Sequence, residues 1–283
     1  MNSSERYVQP LSCATGMSPL LHTPYRAIAV DWSGDAHQAR SRIFLAEAHV
    51  AGELTRLEAG RSREELTQHL LTQTSAVIGL DFGFSFPASH LDSLGVHSAP
   101  DLWRLASEQG ERWIAECAPP FWGRPGRPRP HPDTWRRTEL AVPRTNGVAP
   151  KSMFQLGGAG SVGTGSIRGM PLLFALGAAG ATIWPYTRGG APTLVEIYPR
   201  LLTGRVNKSS PAARERLLAQ SYPHLQREFR EIAIRSEDAF DAAVSALVMI
   251  EHLPDLASLP PQDDPVLRRE GRIWHPAWRD DPI

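Results

Sequence analysis

The chain has 283 residues, of which 41% are hydrophobic, enough to bury one large core or two modest ones. Lys+Arg and Asp+Glu are equal at 30 each, so no global basic field exists and nucleic acid would have to bind a local patch. Cys13 and Cys117 form neither a metal-ligand spacing nor a disulfide framework, which fits a reducing compartment. The longest apolar stretch is too short to span a bilayer, and no signal-peptide pattern is present. We therefore expect a cytoplasmic protein without membrane contact.

The first half of the chain predicts the order β-β-β-α-β. Residues 1–23 are polar and are expected to form a poorly ordered leader. "YRAIAVDWSG" predicts a strand that ends at Asp31, and "SRIFLAEAHV" and "ELTRLEAG" predict two more strands of an antiparallel meander. In "SREELTQHLLTQ", Ser62 and Glu65 predict the capping box of a helix. "AVIGLDFGFSFP" predicts a buried strand that is again followed by an aspartate, Asp81.

The second half predicts more helices and shorter strands. A helix is expected across residues 98–116, followed by "APPFWGRPGRPRPHP", whose prolines favour an extended surface segment that forms no core. "GAGSVGTGS" precedes an apolar helix, and "ATIWPY" and "TLVEIYP" predict a strand or hairpin pair. "SPAARERLLAQSYPHL" predicts an amphipathic helix, "SEDAFDAAVSALVMI" a buried helix capped by Ser236, and "DDPVLRREGRIWHP" a last hairpin or edge strand.

Five acidic residues lie at or near the ends of apolar elements. Asp31 and Asp81 each end a strand, Glu196 lies within "TLVEIYP", and Asp238 and Asp241 open the buried helix at i and i+3, which is one helix face. Sites in open α/β sheets form outside the carboxyl ends of the strands. Several carboxylates at one place repel one another, so some of them would be protonated unless divalent cations bind. Oxygen ligands favour Mg²⁺ or Mn²⁺. The pattern therefore predicts a metal site.

Two such ions, about 4 Å apart, would activate a water and stabilise the leaving oxygen in phosphodiester hydrolysis. Each acid also has a structural explanation. Asp31 and Asp81 could be turn residues, and Glu196 could face solvent on an edge strand. Asp238 and Asp241 could be partners of the positive end of the helix dipole.

The order β-β-β-α-β-α-β-α with these acids resembles the ribonuclease H-like superfamily. Within it, "AVDWSG", "IGLDFGFSFP", "VEIYPRL", "SEDAFDAAVSALVM" and "EGRIWHP" are similar to the predicted-nuclease family called domain of unknown function 429, over residues 25–276. The resemblance implies a mixed sheet of three antiparallel strands and then parallel strands, flanked by helices. It also implies a single domain over residues 24–283, with an insertion at about 88–150.

The same resemblance implies roles for individual residues. Asp31 would bridge both metal ions, and Asp81, Asp238 and Asp241 would complete the metal set, with a D-x-x-D spacing similar to that of RuvC-type resolvases. Glu196 belongs to a family signature and joins the four aspartates in the predicted catalytic set. Ribonuclease H enzymes usually carry a glutamate on the first helix. In this chain the corresponding residues, Glu64 and Glu65, lie near the N-terminus of that helix, where we expect them to cap it.

Substrate contacts are predicted in and beside the insertion. Trp122, Arg124 and Arg127 combine positive charge with an aromatic face, which is typical of a surface that follows a nucleic-acid backbone. Lys151 and Ser152 are expected to line the pocket as polar groups that position the substrate. The alternative for the whole segment is an ordered surface loop with tryptophans that pack inside.

Two other functions stay open on this fold. "GLDFGFS" resembles the first phosphate loop of nucleotide-binding ATPases of the actin and sugar-kinase type, and "GAGSVGTGS" could hold a phosphate at a helix N-terminus. A non-catalytic binding protein that keeps the fold is the second alternative.

Overall fold

The computed structural model describes residues 25–130, 134–145 and 147–282, so the predicted leader lies outside the described residues. Within these ranges seven strands form one mixed sheet. They are β1 (Arg26–Asp31), β2 (Phe44–His49), β3 (Glu53–Glu58), β4 (Ala76–Leu80), β5 (Ala181–Ile183), β6 (Gly190–Ile197) and β7 (Ile273–Trp274).

The strand order across the sheet is β3-β2-β1-β4-β6-β5, and β7 also pairs with β6. β2 is antiparallel to both β1 and β3, which confirms the predicted meander. β4 is parallel to β1, and β6 is parallel to β4, β5 and β7. The hairpin alternative for "ATIWPY" and "TLVEIYP" is therefore wrong, because β5 and β6 run in the same direction. The last strand is a two-residue edge strand.

Helices cover both faces of this sheet. The longer helices are α2 (Arg63–Leu71), α4 (Ala99–Glu116), α6 (Gly163–Ala178), α8 (Pro211–Ser221), α9 (Arg227–Arg235) and α10 (Glu237–Glu251). The shorter ones are α1 (Ala39–Arg42), α3 (Ala88–Ser93), α5 (Arg137–Ala141), α7 (Pro199–Thr203), α11 (Leu253–Ala257) and α12 (Leu267–Glu270). Across the residues described, no helix is both long and apolar enough to cross a membrane.

The sheet separates two hydrophobic cores. Ile28 and Val30 pack with α2, α4 and α6 on one face, whereas Ala27 and Ala29 pack with α10 on the other. This division follows from the alternation of side chains along a strand. The α10 face carries small residues where the helix crosses the sheet. A Cβ atom at Gly79 would lie 2.6 Å from Sδ of Met249, so α10 packs directly on the strand backbones.

The predicted helix caps are present. The Ser62 hydroxyl accepts from the Glu65 amide and the Glu65 carboxylate accepts from the Ser62 amide, which completes a capping box. The Ser236 hydroxyl accepts from the Ala239 amide at 3.1 Å and begins α10. These caps satisfy amide groups that the first helical turn leaves without partners.

The proline-rich segment after α4 contributes to a core, so the expectation that it forms none was wrong. Phe121 is buried, and its ring lies 5.7 Å from that of Phe86 and 5.6 Å from that of Phe154. The Trp122 amide donates to the Phe154 carbonyl at 2.9 Å. α4 itself packs on α6, so the predicted insertion supplies part of the helical layer.

Candidate functional site

The two strand-end aspartates lie on adjacent strands. β1 and β4 pair in parallel with Val30 opposite Leu80, and the Asp81 amide donates to the Val30 carbonyl at 3.0 Å. This register places Asp31 and Asp81 side by side at the carboxyl edge of the sheet. The sequence prediction that these strands are neighbours is confirmed.

The loop after Asp31 is fixed by contacts with α6 and α2. The Trp32 indole donates to the Gly165 carbonyl at 2.9 Å, and the Arg63 guanidinium donates to the Ser33 carbonyl at 2.6 Å. A Cβ atom at Gly34 would lie 2.5 Å from the Gly165 nitrogen, so only glycine fits this close backbone approach. These contacts hold Asp31 at a defined position.

The segment after Asp81 is held in the same way. The Gly83 amide donates to the Ser166 hydroxyl at 2.9 Å, and the Phe84 amide donates to Oε2 of Glu196 at 2.9 Å. The Trp103 indole donates to the Phe84 carbonyl at 2.7 Å. The chain therefore turns away from Asp81 along a buried, hydrogen-bonded path.

The first turns of α10 bring two more carboxylates to this edge. Asp238 is half-buried and Asp241 is buried. Oδ2 of Asp241 accepts a short hydrogen bond from Nζ of Lys208, while its Oδ1 is buried and has no hydrogen-bond partner. A buried carboxylate oxygen without a donor is costly. The position is therefore one that an added cation or donor would stabilise.

The electrostatics show that these four carboxyl groups act on one another. Burial raises the pKa of Asp31 well above its ordinary value, and the charges of Asp81, Asp241 and Asp238 raise it further. Burial and then Asp241 raise the pKa of Asp81 to about 8. Burial raises the pKa of Asp241 to about 6, although Lys208 lowers it, and burial also raises that of Asp238. One ammonium group does not neutralise the cluster.

These residues fit a divalent cation in chemistry but do not form a preassembled coordination sphere. In the ranges described, no three His, Cys, Asp or Glu side chains are arranged as a group that could hold a metal ion. The donor set consists of carboxylate oxygens, which Mg²⁺ and Mn²⁺ prefer, and it includes the unpartnered Oδ1 of Asp241. Binding would have to draw the carboxylates together.

The Glu196 side chain leaves β6 on the opposite face of the sheet from the aspartates. It nevertheless lines the same small cavity as Asp81, and its charge adds to the burial and the Asp241 charge that raise the pKa of Asp81. In β6 its neighbours Val195 and Ile197 face the α10 core, so Glu196 faces the α4 and α6 layer. Its Oε1 and Oε2 accept from the buried Arg136 guanidinium at 2.5 and 2.8 Å, and Oε2 also accepts from the Phe84 amide. Both oxygens are occupied, so we assign Glu196 to holding the segment after Asp81.

The predicted substrate residues do not share one environment. Lys151 is exposed and lines a small cavity of about 30 Å³ together with Asp81 and Arg136. Ser152 is buried and its hydroxyl donates to the Thr134 carbonyl at 3.2 Å, so its side chain faces the protein interior. Lys151 therefore shares a cavity with one of the aspartates.

The three predicted residues of the proline-rich segment differ in exposure. Arg127 is exposed, Arg124 is half-buried, and Trp122 is half-buried and packs against the hydrophobic core. The Arg129 guanidinium lies 5.6 Å from the ring centroid of Trp122 and 5.8 Å from that of Trp135. The segment thus presents an arginine between two indoles, beside further basic side chains.

Lys208 is the site residue that the sequence analysis missed. It lies in the loop between α7 and α8, 33 residues before its partner Asp241, and no motif marks it. Only the folded chain brings the two together.

Comparison of the chain with protein-family models, with curated proteins and with solved structures finds no match in any of the three. The resemblance to the domain of unknown function 429 family stays a prediction.

Proposed function

We propose that this chain is a metal-dependent phosphodiester hydrolase of the ribonuclease H-like type, acting on nucleic acid. The observation that carries the proposal is the meeting of Asp31, Asp81 and Asp241 from two adjacent parallel strands and one helix, with Oδ1 of Asp241 buried and unpartnered. Most buried side-chain polar atoms have a hydrogen-bond partner, so this oxygen is open to a cation.

The topology supports the fold part of the proposal. β1, β4 and β6 are parallel to one another, and β2 is antiparallel to β1. Helices α2 and α6 lie on one face of the sheet, and α10 lies on the other. That arrangement agrees with the one implied by the resemblance. It also explains why the first turn of α10 reaches the strand ends.

In the proposed site Asp31, Asp81 and Asp241 would hold Mg²⁺ or Mn²⁺, and Asp238 would add negative charge at its margin. A bound ion would polarise a phosphoryl oxygen and activate a water for attack on phosphorus. Glu196 and Arg136 fix the backbone after Asp81, and the loop at Trp32 fixes Asp31. The protein's own contribution is to keep three carboxylates at one edge despite their repulsion.

Substrate contact is proposed for Lys151 and for the surface formed by Trp122, Arg124 and Arg127. Lysine and arginine bind phosphate oxygens, and indole faces stack on bases. The nucleotide-binding alternative gains less support from the structure. The Gly163 amide, at the start of α6, already donates to the Gln155 carbonyl at 3.0 Å, so the glycine-rich segment offers one donor fewer to a phosphate.

Cleavage of a panel of single-stranded, duplex and branched DNA and RNA in the presence of Mn²⁺ tests the proposal. We expect cleavage of at least one substrate by the wild type and a loss of orders of magnitude for Asp31→Asn. Glu65→Gln, which alters only the α2 cap and its exposed pair with Arg40, should keep activity. Wild-type protein that is inert on every substrate, or an active Asp31→Asn variant, would contradict the proposal.

A further inference from the structure

Lys208 places an ammonium group among the carboxylates. Its Nζ pairs with Oδ2 of Asp241 and lies 4.0 Å from Oε1 of Glu237, and its side chain is only 12% exposed. A charged partner stabilises a lysine at this depth, because little water reaches the ammonium ion. The contact is therefore different from a surface ion pair between mobile side chains.

The backbone at Lys208 is held by a buried arginine. The Arg214 guanidinium donates to the Lys208 carbonyl and, through Nε at 3.1 Å, to the Ile234 carbonyl at the end of α9. The Ser209 hydroxyl donates to Glu237 at 3.4 Å. The loop is thus tied to the end of α9 by Arg214 and to the start of α10 by Ser209, and the ammonium group has a built position beside Asp241.

The two oxygens of Asp241 differ in their surroundings. Lys208 occupies Oδ2, whereas Oδ1 is buried without a partner. One side of this carboxylate therefore already has its cation, and the other side lacks one. Asp31 and Asp81 are the strand-end carboxylates of the same sheet edge, and both interact with Asp241 electrostatically.

We propose that Lys208 takes the place of a second divalent cation, so that the site holds one Mg²⁺ or Mn²⁺, bound by Asp31, Asp81 and Oδ1 of Asp241. This inference rests on the proposed function. The ammonium occupies Oδ2 and Arg214 holds the backbone of its loop, so Asp241 has one oxygen left for a metal ion.

A fixed ammonium group beside a single metal ion has a use in phosphodiester chemistry. Lysine is a point charge that binds phosphate oxygens. Lys208 would contact either a non-bridging oxygen of the reacting phosphate or the phosphate next to it. It would thereby supply positive charge where a two-metal site uses its second ion.

The number of Mn²⁺ ions bound by the metal-free full chain tests this inference, measured by isothermal titration calorimetry and by electron paramagnetic resonance of free Mn²⁺. We expect one ion for the wild type. Lys208→Met should bind a second ion, or bind the first at least about tenfold more tightly, because a nearby positive charge is gone. Lys208→Arg, which keeps the charge, should bind one ion. Arg216→Met removes an exposed charge from α8 and should match the wild type.

Two ions in the wild type would overturn the inference while leaving the proposed function intact. An unchanged stoichiometry and affinity in a folded Lys208→Met variant would also overturn it. If Lys208→Met does not fold, the counts for the wild type and Lys208→Arg decide the question. No Mn²⁺ on the wild type at all would overturn the inference and the proposed metal site together.

Discussion

Replacing Asp81 by asparagine should stabilise the metal-free protein, because the folded state resists ionisation of this carboxyl group. Burial and the charge of Asp241 raise the pKa of Asp81 to about 8, from an ordinary value of 3.8. A carboxyl group whose pKa is raised on folding holds its proton more tightly in the folded state. The stability that it contributes is complete below pH 3.8 and is lost as the pH rises towards about 8. Asparagine is neutral at every pH, so the variant avoids this loss.

The size of the effect follows from the distance between the working pH and the unfolded pKa. At pH 7 the gap is about three units, and each unit is about 1.4 kcal/mol, so Asp81→Asn should gain up to about 4 kcal/mol in free energy of unfolding. Water at the half-buried carboxyl group reduces this gain. At pH 5 the gap is about one unit and the gain should fall to about 2 kcal/mol. A gain in free energy of unfolding that grows with pH indicates that the pKa of Asp81 is raised in the folded state. A gain that came from altered packing around the asparagine would be the same at every pH.

Urea unfolding in EDTA at pH 5 and pH 7 supplies the assay, with the midpoint and the slope fitted separately. Asp263→Asn is the matched control, because this aspartate is exposed at the far end of the sheet and its change should stay within about 0.5 kcal/mol. A variant less stable than the wild type at pH 7, or a gain equal at both pH values, would refute the reasoning about Asp81.

Two further predictions concern Glu196 and the basic segment. Glu196→Gln should lower the free energy of unfolding by about 1.5–3 kcal/mol, because the buried Arg136 loses one charged partner and keeps Glu139. It should leave the Mn²⁺ count by calorimetry unchanged; a changed count would make Glu196 a metal ligand. Replacing Arg124 and Arg127 together by alanine should weaken binding of a single-stranded oligonucleotide, as measured by fluorescence anisotropy. The slope of the logarithm of the binding constant against the logarithm of the salt concentration should become shallower by about one unit for each phosphate that the variant no longer neutralises. An unchanged slope would exclude this segment from backbone contact.

The position of the aspartates could be predicted from the sequence because it depends on local patterns and on one topological rule. Asp31 and Asp81 each follow an apolar β-rich run, and sites in open α/β sheets form at the carboxyl ends of the strands. The pairing of β1 with β4 does not follow from succession along the chain, because β2, β3 and α2 lie between them in sequence. Asp238 and Asp241 follow a capping serine, which identifies the first turn of α10. No knowledge of the register was needed for these assignments.

The role of Glu196 could not be predicted, because it depends on which face of β6 meets α10. The parallel register places Glu196 opposite Leu80, so the two share a face, and Asp81, one residue later, faces the other way. A shift of one residue would have put Glu196 among the aspartates. Its partner Arg136 gave no signal either, since it lies in a segment rich in exposed arginines.

Lys208 illustrates a second limit. Its approach to Asp241 requires that Arg214 bind the Lys208 and Ile234 carbonyls, which joins a loop to the end of α9. That contact is neither periodic nor close in sequence. The same holds for Phe121, which is buried because Phe86 and Phe154 approach it from distant parts of the chain.

The most direct test of the central claim is a crystal structure of the full chain grown with Mn²⁺, with the ion located by its anomalous scattering. The account predicts a peak bound by Asp31, Asp81 and Oδ1 of Asp241, with Nζ of Lys208 still on Oδ2 of Asp241. The crystals should be grown at a Mn²⁺ concentration at which the protein cleaves its substrate. An anomalous difference map without a peak at these carboxylates would then contradict the claim that this cluster is a metal-dependent active site.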